Sequence, residues 1–250
     1  MDDVRDVVIN LVAAAIGAAA AWSVARFKRW RRERRSRRFW GGMATRGVTV
    51  VIGAQDPAAL GRWEPSGLVG MGDAMALITL QRELEAIGCR VDVRSAEALA
   101  PEHLERDLLL LGGPDANKIT RDTLEHYDQV LKLTVPGFKS HEVAIRDTRS
   151  DRYYAPRKGA DDEWVLDYGL LVRLPNPLSN GRRTEVLILA GCWGYGTEGA
   201  AKAVSELDFL KEVGVKKNRF FEALVRTTVR ANVGYYQRPE LIRPLEVGEW

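Results

Sequence analysis

Asp107-Leu-Leu-Leu-Leu-Gly-Gly-Pro-Asp-Ala-Asn-Lys-Ile-Thr120 decides the architecture. Four consecutive leucines between an acid and a glycine pair predict a strand covered on both faces, because a half-exposed strand would alternate with polar residues. Asn117 is a good helix N-cap, and Lys118 to Gln129 predicts the helix that it starts. Upstream, Gly47 to Ile52 reads as another buried strand, and Gly53 to Gly72, rich in Gly and Pro, as a loop. Asp73 to Ile87 places Ala76, Leu77, Leu80, Leu84 and Ile87 on one helical face and stops at Gly88. Arg90 to Arg94 predicts a short strand, and Pro101 to Arg106 a brief helix.

Strand and helix therefore alternate three times, which calls for a parallel sheet with helices on both faces. Between Val130 and Leu174 the pattern changes to short strand-like pieces at Leu131–Val135, Glu142–Ile145, Tyr153-Tyr154 and Leu170–Leu174, an antiparallel insertion or sheet extension. Glu185 to Ala190 resumes as strand and Glu198 to Leu207 as helix. Ala223, Val225, Thr227, Val229, Ala231 and Val233 alternate with Leu224, Arg226, Thr228, Arg230 and Asn232, a period-two run that predicts a half-buried strand at a sheet edge. The fold class expected is α/β, a Rossmann/flavodoxin-like mostly parallel sheet with an antiparallel extension, preceded by one transmembrane helix.

That helix is the uncharged run of residues 7–25, about the length needed to cross a hydrocarbon core. Nine Lys/Arg and one acid follow between Arg26 and Arg38, whereas Asp2, Asp3 and Asp6 outnumber Arg5 before it. Positive charge stays on the cytoplasmic side, so the N-terminus is expected outside and the C-terminal domain in the cytoplasm, a single-pass arrangement at the cell membrane. A cleaved signal peptide carries its charges ahead of the apolar run, the reverse of what stands here. The organisation expected is a transmembrane anchor over 1–27, a basic juxtamembrane stalk over 28–46 and an α/β domain over 47–250. The lipid bilayer is the expected partner of residues 7–25 and of the tract 26–38. The tract's net charge exceeds the +3 of the whole chain, so the remainder is mildly acidic and no specific nucleic-acid binding is expected. Cys89 and Cys192 make no disulfide framework, and His103, His126 and His141 have no metal-ligand spacing with them.

Three glycine-containing junctions are the candidate ligand-binding site. The first is Gly112-Gly113-Pro114-Asp115 with Asn117, the second Gly191 with Trp193-Gly194-Tyr195-Gly196-Thr197, and the third Gly70 and Gly72 with Asp73. Ligands of open parallel sheets bind beyond the carboxyl ends of the strands, where all three would project. Glycines let the backbone approach a ligand, helix N-termini attract anions, and Trp193 or Tyr195 offers a ring for stacking. Thr197 is expected as the N-cap of its helix. The same residues would serve a bland purpose as tight turns and helix caps. Asp73, Asp115 and Glu198 are the acids placed for acid–base chemistry. Cys192, ahead of a helix, is a weak candidate nucleophile. Asp167-Tyr168-Gly169 and Leu174-Pro-Asn-Pro177 read as turns. No P-loop, G-x-G-x-x-G turn or G-x-S-x-G elbow is present.

Residues 109–117 (Leu-Leu-Leu-Gly-Gly-Pro-Asp-Ala-Asn), 167–177 (Asp-Tyr-Gly-Leu-Leu-Val-Arg-Leu-Pro-Asn-Pro) and 187–197 (Leu-Ile-Leu-Ala-Gly-Cys-Trp-Gly-Tyr-Gly-Thr) together form a pattern that resembles Rossmann-like domains of the broad TIR, LOG and nucleoside-deoxyribosyltransferase class. The Gly-Gly-Pro-x-x-Asn piece is also similar to one in the C-terminal domains of archaeal surface-layer proteins. The resemblance implies a pocket for a nucleotide-like ligand; no glutamate aligns with the one that cleaves N-glycosidic bonds in that class, Glu198 being the candidate. Three functions follow as expectations. One is a membrane-anchored domain that binds a nucleotide or nucleoside-derived molecule as sensor or effector in signalling or defence. Another is a hydrolase of N-glycosidic bonds in NAD or nucleosides. The last is a tethered module that recruits a protein partner through the strand Ala223–Val233, with no small ligand.

Overall fold

The computed structural model describes residues 2–54, 67–135, 143–159, 163–212 and 220–246. Helices α1 (Asp2–Trp40) and α2 (Met43–Arg46) lead into strand β1 (Val48–Ile52), followed by α3 (Met71–Ala86), β2 (Val91–Ser95), α4 (Pro101–Leu104), β3 (Leu108–Leu111) and α5 (Lys118–His126). After these come β4 (Leu133–Thr134), β5 (Ile145–Asp147), β6 (Arg152–Tyr154), β7 (Arg157–Lys158), β8 (Trp164–Pro175) and β9 (Glu185–Gly191). The chain closes with α6 (Gly194–Ser205), α7 (Leu207–Glu212), β10 (Phe221–Arg230), β11 (Tyr235–Tyr236) and β12 (Glu240–Glu246). Of the expected loop Gly53–Gly72, residues 55–66 lie outside the described residues, as do His141 and Glu142.

The fold is mixed α/β. Strands β2, β1, β3 and β9 lie side by side in that order, all parallel. The sheet continues through β8, antiparallel to β9, and β10, antiparallel to β8, with β11 and β12 on the far side of β10. All four leucines of β3 are buried. Leu109 and Leu111 pack under α3, α6 and α7, while Leu108 and Leu110 face α5 and the strands β4–β6. A strand sandwiched in this way has no solvent face, which is why its sequence does not alternate.

The antiparallel insertion or sheet extension expected in the middle of the chain takes both forms: β4, β5 and β6 form a separate three-stranded antiparallel sheet, and β8 runs for 12 residues as an interior strand of the main sheet. One expectation from the sequence is corrected. The strand expected at a sheet edge over Ala223–Val233 is β10, which is paired along both sides and ends in a short 3-10 turn over Ala231–Val233. Glu222 and Leu224 are as buried as Ala223 and Val225, so its first half is apolar-covered on both faces. The edge that was to recruit a protein partner is already occupied by β12.

Helix α1 is long and apolar enough to cross a membrane, with mean hydropathy 1.3 in its apolar window and none of that window buried against the protein. It runs unbroken through the basic tract to Trp40 and stops at Gly41, where φ is +54°. Its last turns belong to the domain. Phe39 and Trp40 are buried with Met43 and Ala44 of α2 in the core beneath α3 and α7. Burial of Phe39 and of Met43 contributes about 1.5–3 kcal/mol each. Further back on the helix, Arg32 pairs with the buried Glu83 of α3 at 2.7 Å.

Arg173 of β8, only 3% exposed, closes the end of α1. Its guanidinium donates to the carbonyls of Phe39 and Trp40, two of the acceptors that every helix C-terminus leaves over, and to Glu185 at 2.7 Å. Replacing Arg173 by Ala leaves two buried carbonyls unbonded and Glu185 with only Arg46, 3.9 Å away, and we expect a loss of about 3 kcal/mol in unfolding free energy. Chemical denaturation of the two proteins measures it, and an unchanged midpoint and slope would contradict the role given to this side chain.

Candidate functional site

The carboxyl ends of the four parallel strands face away from the end of the sheet where α1 enters. Strand β2 lies on one side of β1 and β3 on the other, so the order reverses between β1 and β3. Ligands of such sheets enter at that crevice. Here the protein's own chain fills it. Gly53, just after β1, packs against the carbonyl of Ala116, and Asn117 plugs the gap with its fully buried amide. The Asn117 Nδ2 donates to the carbonyls of Val51 (3.1 Å) and Leu111 (3.0 Å). Its Oδ1 accepts from the N–H groups of Ile119 and Thr120, the N-cap expected from sequence. With both donors and both acceptor directions engaged, Asn117 has nothing to offer a ligand.

The open space lies one strand further along, beyond β3 and β9, where two helices begin. Neither Gly70 before α3 nor Trp193 before α6 caps its helix with a side chain. Helix α6 starts at Gly194, four residues before the expected Glu198, so Thr197 lies in its first turn and is not the N-cap. The two N-termini touch through glycines. A Cβ on Gly72 would lie 2.0 Å from the Gly194 carbonyl oxygen, and one on Gly194 would lie 3.2 Å from the Gly72 Cα. Two positive helix ends are thus pressed together.

Carboxylates surround this junction. Asp167, fully buried, accepts from the backbone N–H groups of Tyr168 (2.7 Å), Trp193 (3.2 Å) and Gly196. Burial pushes its pKa up to about 7, against the pull of those three donors. Asp73, in the first turn of α3, is also buried, and this raises its pKa to about 6. A hydrogen bond from the Thr197 hydroxyl opposes that rise, and the charge of nearby Asp115 adds to it. The same Thr197 oxygen accepts from the Gly191 N–H at 3.0 Å, tying β9 to both helices. Gly112, at φ +98°, leaves room for Asp73, whose Oδ2 would lie 3.0 Å from a Cβ there.

Asp73, Thr197 and Gly191 line a cavity of about 500 Å³, and Asp167 bonds to the N–H of Trp193 in its wall. Of the residues singled out in the sequence, Gly70, Gly72, Asp73, Gly113, Asp115, Gly191, Trp193, Gly194, Tyr195 and Thr197 line it, and so does Glu198. The three junctions do meet. Gly112 lies behind Asp73, Gly196 packs on the Tyr168 carbonyl, and Pro114 borders a smaller cavity of about 220 Å³ with Leu124 and Leu131. Cys192 also lines the main cavity, but burial and the charge of Asp167 push its thiol up to about 12. This reverses the lowering expected from the helix end, and a neutral thiol is no nucleophile.

Sequence inspection missed Asp167, which reads as part of a turn in Asp167-Tyr168-Gly169 but stands within β8. It also missed Tyr236 of β11 and Lys202, which hold Glu198 from two sides. The Tyr236 hydroxyl donates to Glu198 Oε2 and the Lys202 ammonium to Oε1. The ammonium also lies 3.1 Å from the centre of the Tyr236 ring. No local signal marks Tyr236, because the contact joins positions 38 residues apart. Among the described residues the lining includes no Lys or Arg. Its chemistry is therefore that of hydroxyl-accepting carboxylates, backbone N–H donors at two helix ends, and aromatic walls from Trp193 and Tyr195.

Two outcomes follow. Gly72→Ala drives a methyl group into the Gly194 backbone, and we expect a loss of about 1–3 kcal/mol in denaturant unfolding; a neutral result would show that the helix ends are not in contact. Because Asp73 and Asp167 bind protons more tightly in the folded than in the unfolded chain, their contribution is complete below pH 4 and is lost as pH rises through about 6 and 7. Tm should fall across pH 4–7, and Asp73→Asn should flatten the lower part of that fall; a wild-type Tm that climbs over this range would contradict the burial of these acids. No protein-family model and no curated protein matches the chain, so its function is argued from this geometry.

Proposed function

We propose that the chain is a single-pass membrane protein whose cytosol-facing, Rossmann-like domain binds a nucleoside-derived small molecule and acts as a sensor or effector. The observation that carries this reading is the cavity at the carboxyl ends of β3 and β9, bounded by the N-termini of α3 and α6. Ribose presents neighbouring hydroxyls, which Asp73 and Asp115 are suited to accept. A base stacks on Trp193 or Tyr195. A phosphate, where the ligand has one, takes the backbone N–H groups at the two helix starts. The parallel strands β2, β1, β3 and β9 with their helical crossovers support the Rossmann-like assignment, and the distribution of Lys and Arg around residues 7–25 supports the orientation.

A second reading is favoured by the placement of two acids, Asp73 and Asp115, in one cavity. Burial raises the Asp73 carboxyl to about 6, which suits a general acid or base in N-glycosidic cleavage. Asp115, in the same cavity, would then stabilise positive charge developing on the sugar.

Thermal shift of the full chain in detergent against NAD, cyclic nucleotides, nucleoside triphosphates and deoxynucleosides, with chromatography of the same samples, separates these readings. We expect a stabilising shift that Trp193→Ala and Gly113→Val each abolish without unfolding the domain. Shift without cleavage supports the sensor, and cleavage lost in Asp73→Asn with the shift retained supports the hydrolase. Shifts that survive both cavity variants would remove the site assignment.

A further inference from the structure

A larger cavity, of about 730 Å³, lies at the opposite edge of the sheet, around the amino ends of the parallel strands. It is lined by the starts of β1 and β2 and by residues just ahead of β3 and β9, so it is distinct from the cavity between the helix starts. Five arginines border it: Arg46, Arg90, Arg106, Arg182 and Arg183. Three carboxylates share the lining, and their pairing is uneven. Asp107, fully buried, is bonded by Arg46 at 2.6 and 2.7 Å and by the Glu185 N–H. Arg106 stands 3.9 Å from Asp92 and Arg182 3.6 Å from Glu105, both loose contacts. Arg90 and Arg183 have no carboxylate partner among the described residues. The lining thus carries an excess of guanidinium groups, with Arg46 held rigidly among them.

The cavity is wide enough for a solvated anion, and its unpaired guanidinium groups come from two separate parts of the chain, Arg90 ahead of β2 and Arg183 ahead of β9. Guanidinium forks match the paired oxygens of phosphate, and they do so better than ammonium groups. Arg37 of the basic tract of α1 lies beside Gly88, two residues before Arg90 in sequence.

We propose that this cavity is a second ligand site, taking a phosphate-bearing polyanion through Arg90, Arg183, Arg106 and Arg182. The phosphate comes either from the headgroup of an anionic lipid at the end where α1 enters or from a soluble phosphorylated molecule.

The test is calorimetric titration of inorganic pyrophosphate into the full chain in phosphatidylcholine nanodiscs. We expect binding that Arg90→Gln/Arg183→Gln weakens at least tenfold. Removal of the same charge elsewhere, in Arg152→Gln/Arg157→Gln, should leave it within twofold. Amide exchange at 47–49, 90–92 and 182–184 assigns the source. Slower exchange in discs that contain phosphatidylglycerol supports the lipid, and pyrophosphate binding with equal exchange in both discs supports the soluble molecule. The proposal is overturned by absent pyrophosphate binding together with equal exchange, or by equal losses in the two double-arginine variants.

Discussion

The backbone contact between Gly72 and Gly194 is the constraint from which the candidate site follows. It brings together the N-termini of α3 and α6, two ends that carry unbonded N–H groups and partial positive charge. Left alone, such ends would repel each other and demand solvent. The buried carboxylates of Asp73 and Asp167 answer both demands, Asp167 by bonding directly to the N–H groups of Trp193 and Gly196. Each carboxylate at a helix end is worth about 0.3–2 kcal/mol, depending on burial. Desolvation works in the other direction and holds both acids near neutrality. One contact therefore sets the shape of the cavity and the protonation of its walls.

The remainder of the molecule holds that contact in place. Strands β3 and β9, buried on both faces, fix the loops that begin at Gly112 and Gly191. Asn117 locks the end of β1 to the end of β3 and starts α5, which closes the crevice usually open to ligands and leaves the space beside α6. At the other end, Arg173 joins the carbonyls of α1 to the interior strand β8. Since α1 is continuous from its apolar run into the core, the domain hangs on a helix and not on a linker. Arg32 and Glu83 brace that helix against α3, whose first turn bears Asp73.

Features decided by local chemistry were legible in the amino-acid sequence. The leucine run of β3, the apolar face of α3 and the Asn117 cap each depend on a few adjacent residues, and the three glycine junctions could be placed at one end of the sheet. Features decided by distant partners were not. Gly194-Tyr195-Gly196 is a poor helix former, with two glycines at about 1 kcal/mol each relative to alanine, yet it is helical because Asp167 caps it from a different strand. Glu222 breaks no alternation in sequence, but in β10 it is buried and bonded to the N–H groups of Lys132 and Leu133, 90 and 89 residues away. The pairing of β12 that covers β10 has no signature in either strand. Tyr236 and Lys202 around Glu198 belong to the same category.

Amide hydrogen–deuterium exchange on the full chain tests the central claim most directly, with NAD, adenosine triphosphate and deoxyadenosine each added in separate experiments. The account predicts that at least one of them slows exchange together at 70–73, 113–116 and 191–198, the three segments that meet at the Gly72–Gly194 contact. Protection confined to other segments, or none with any of the three, would contradict a nucleoside-binding site between the two helix ends.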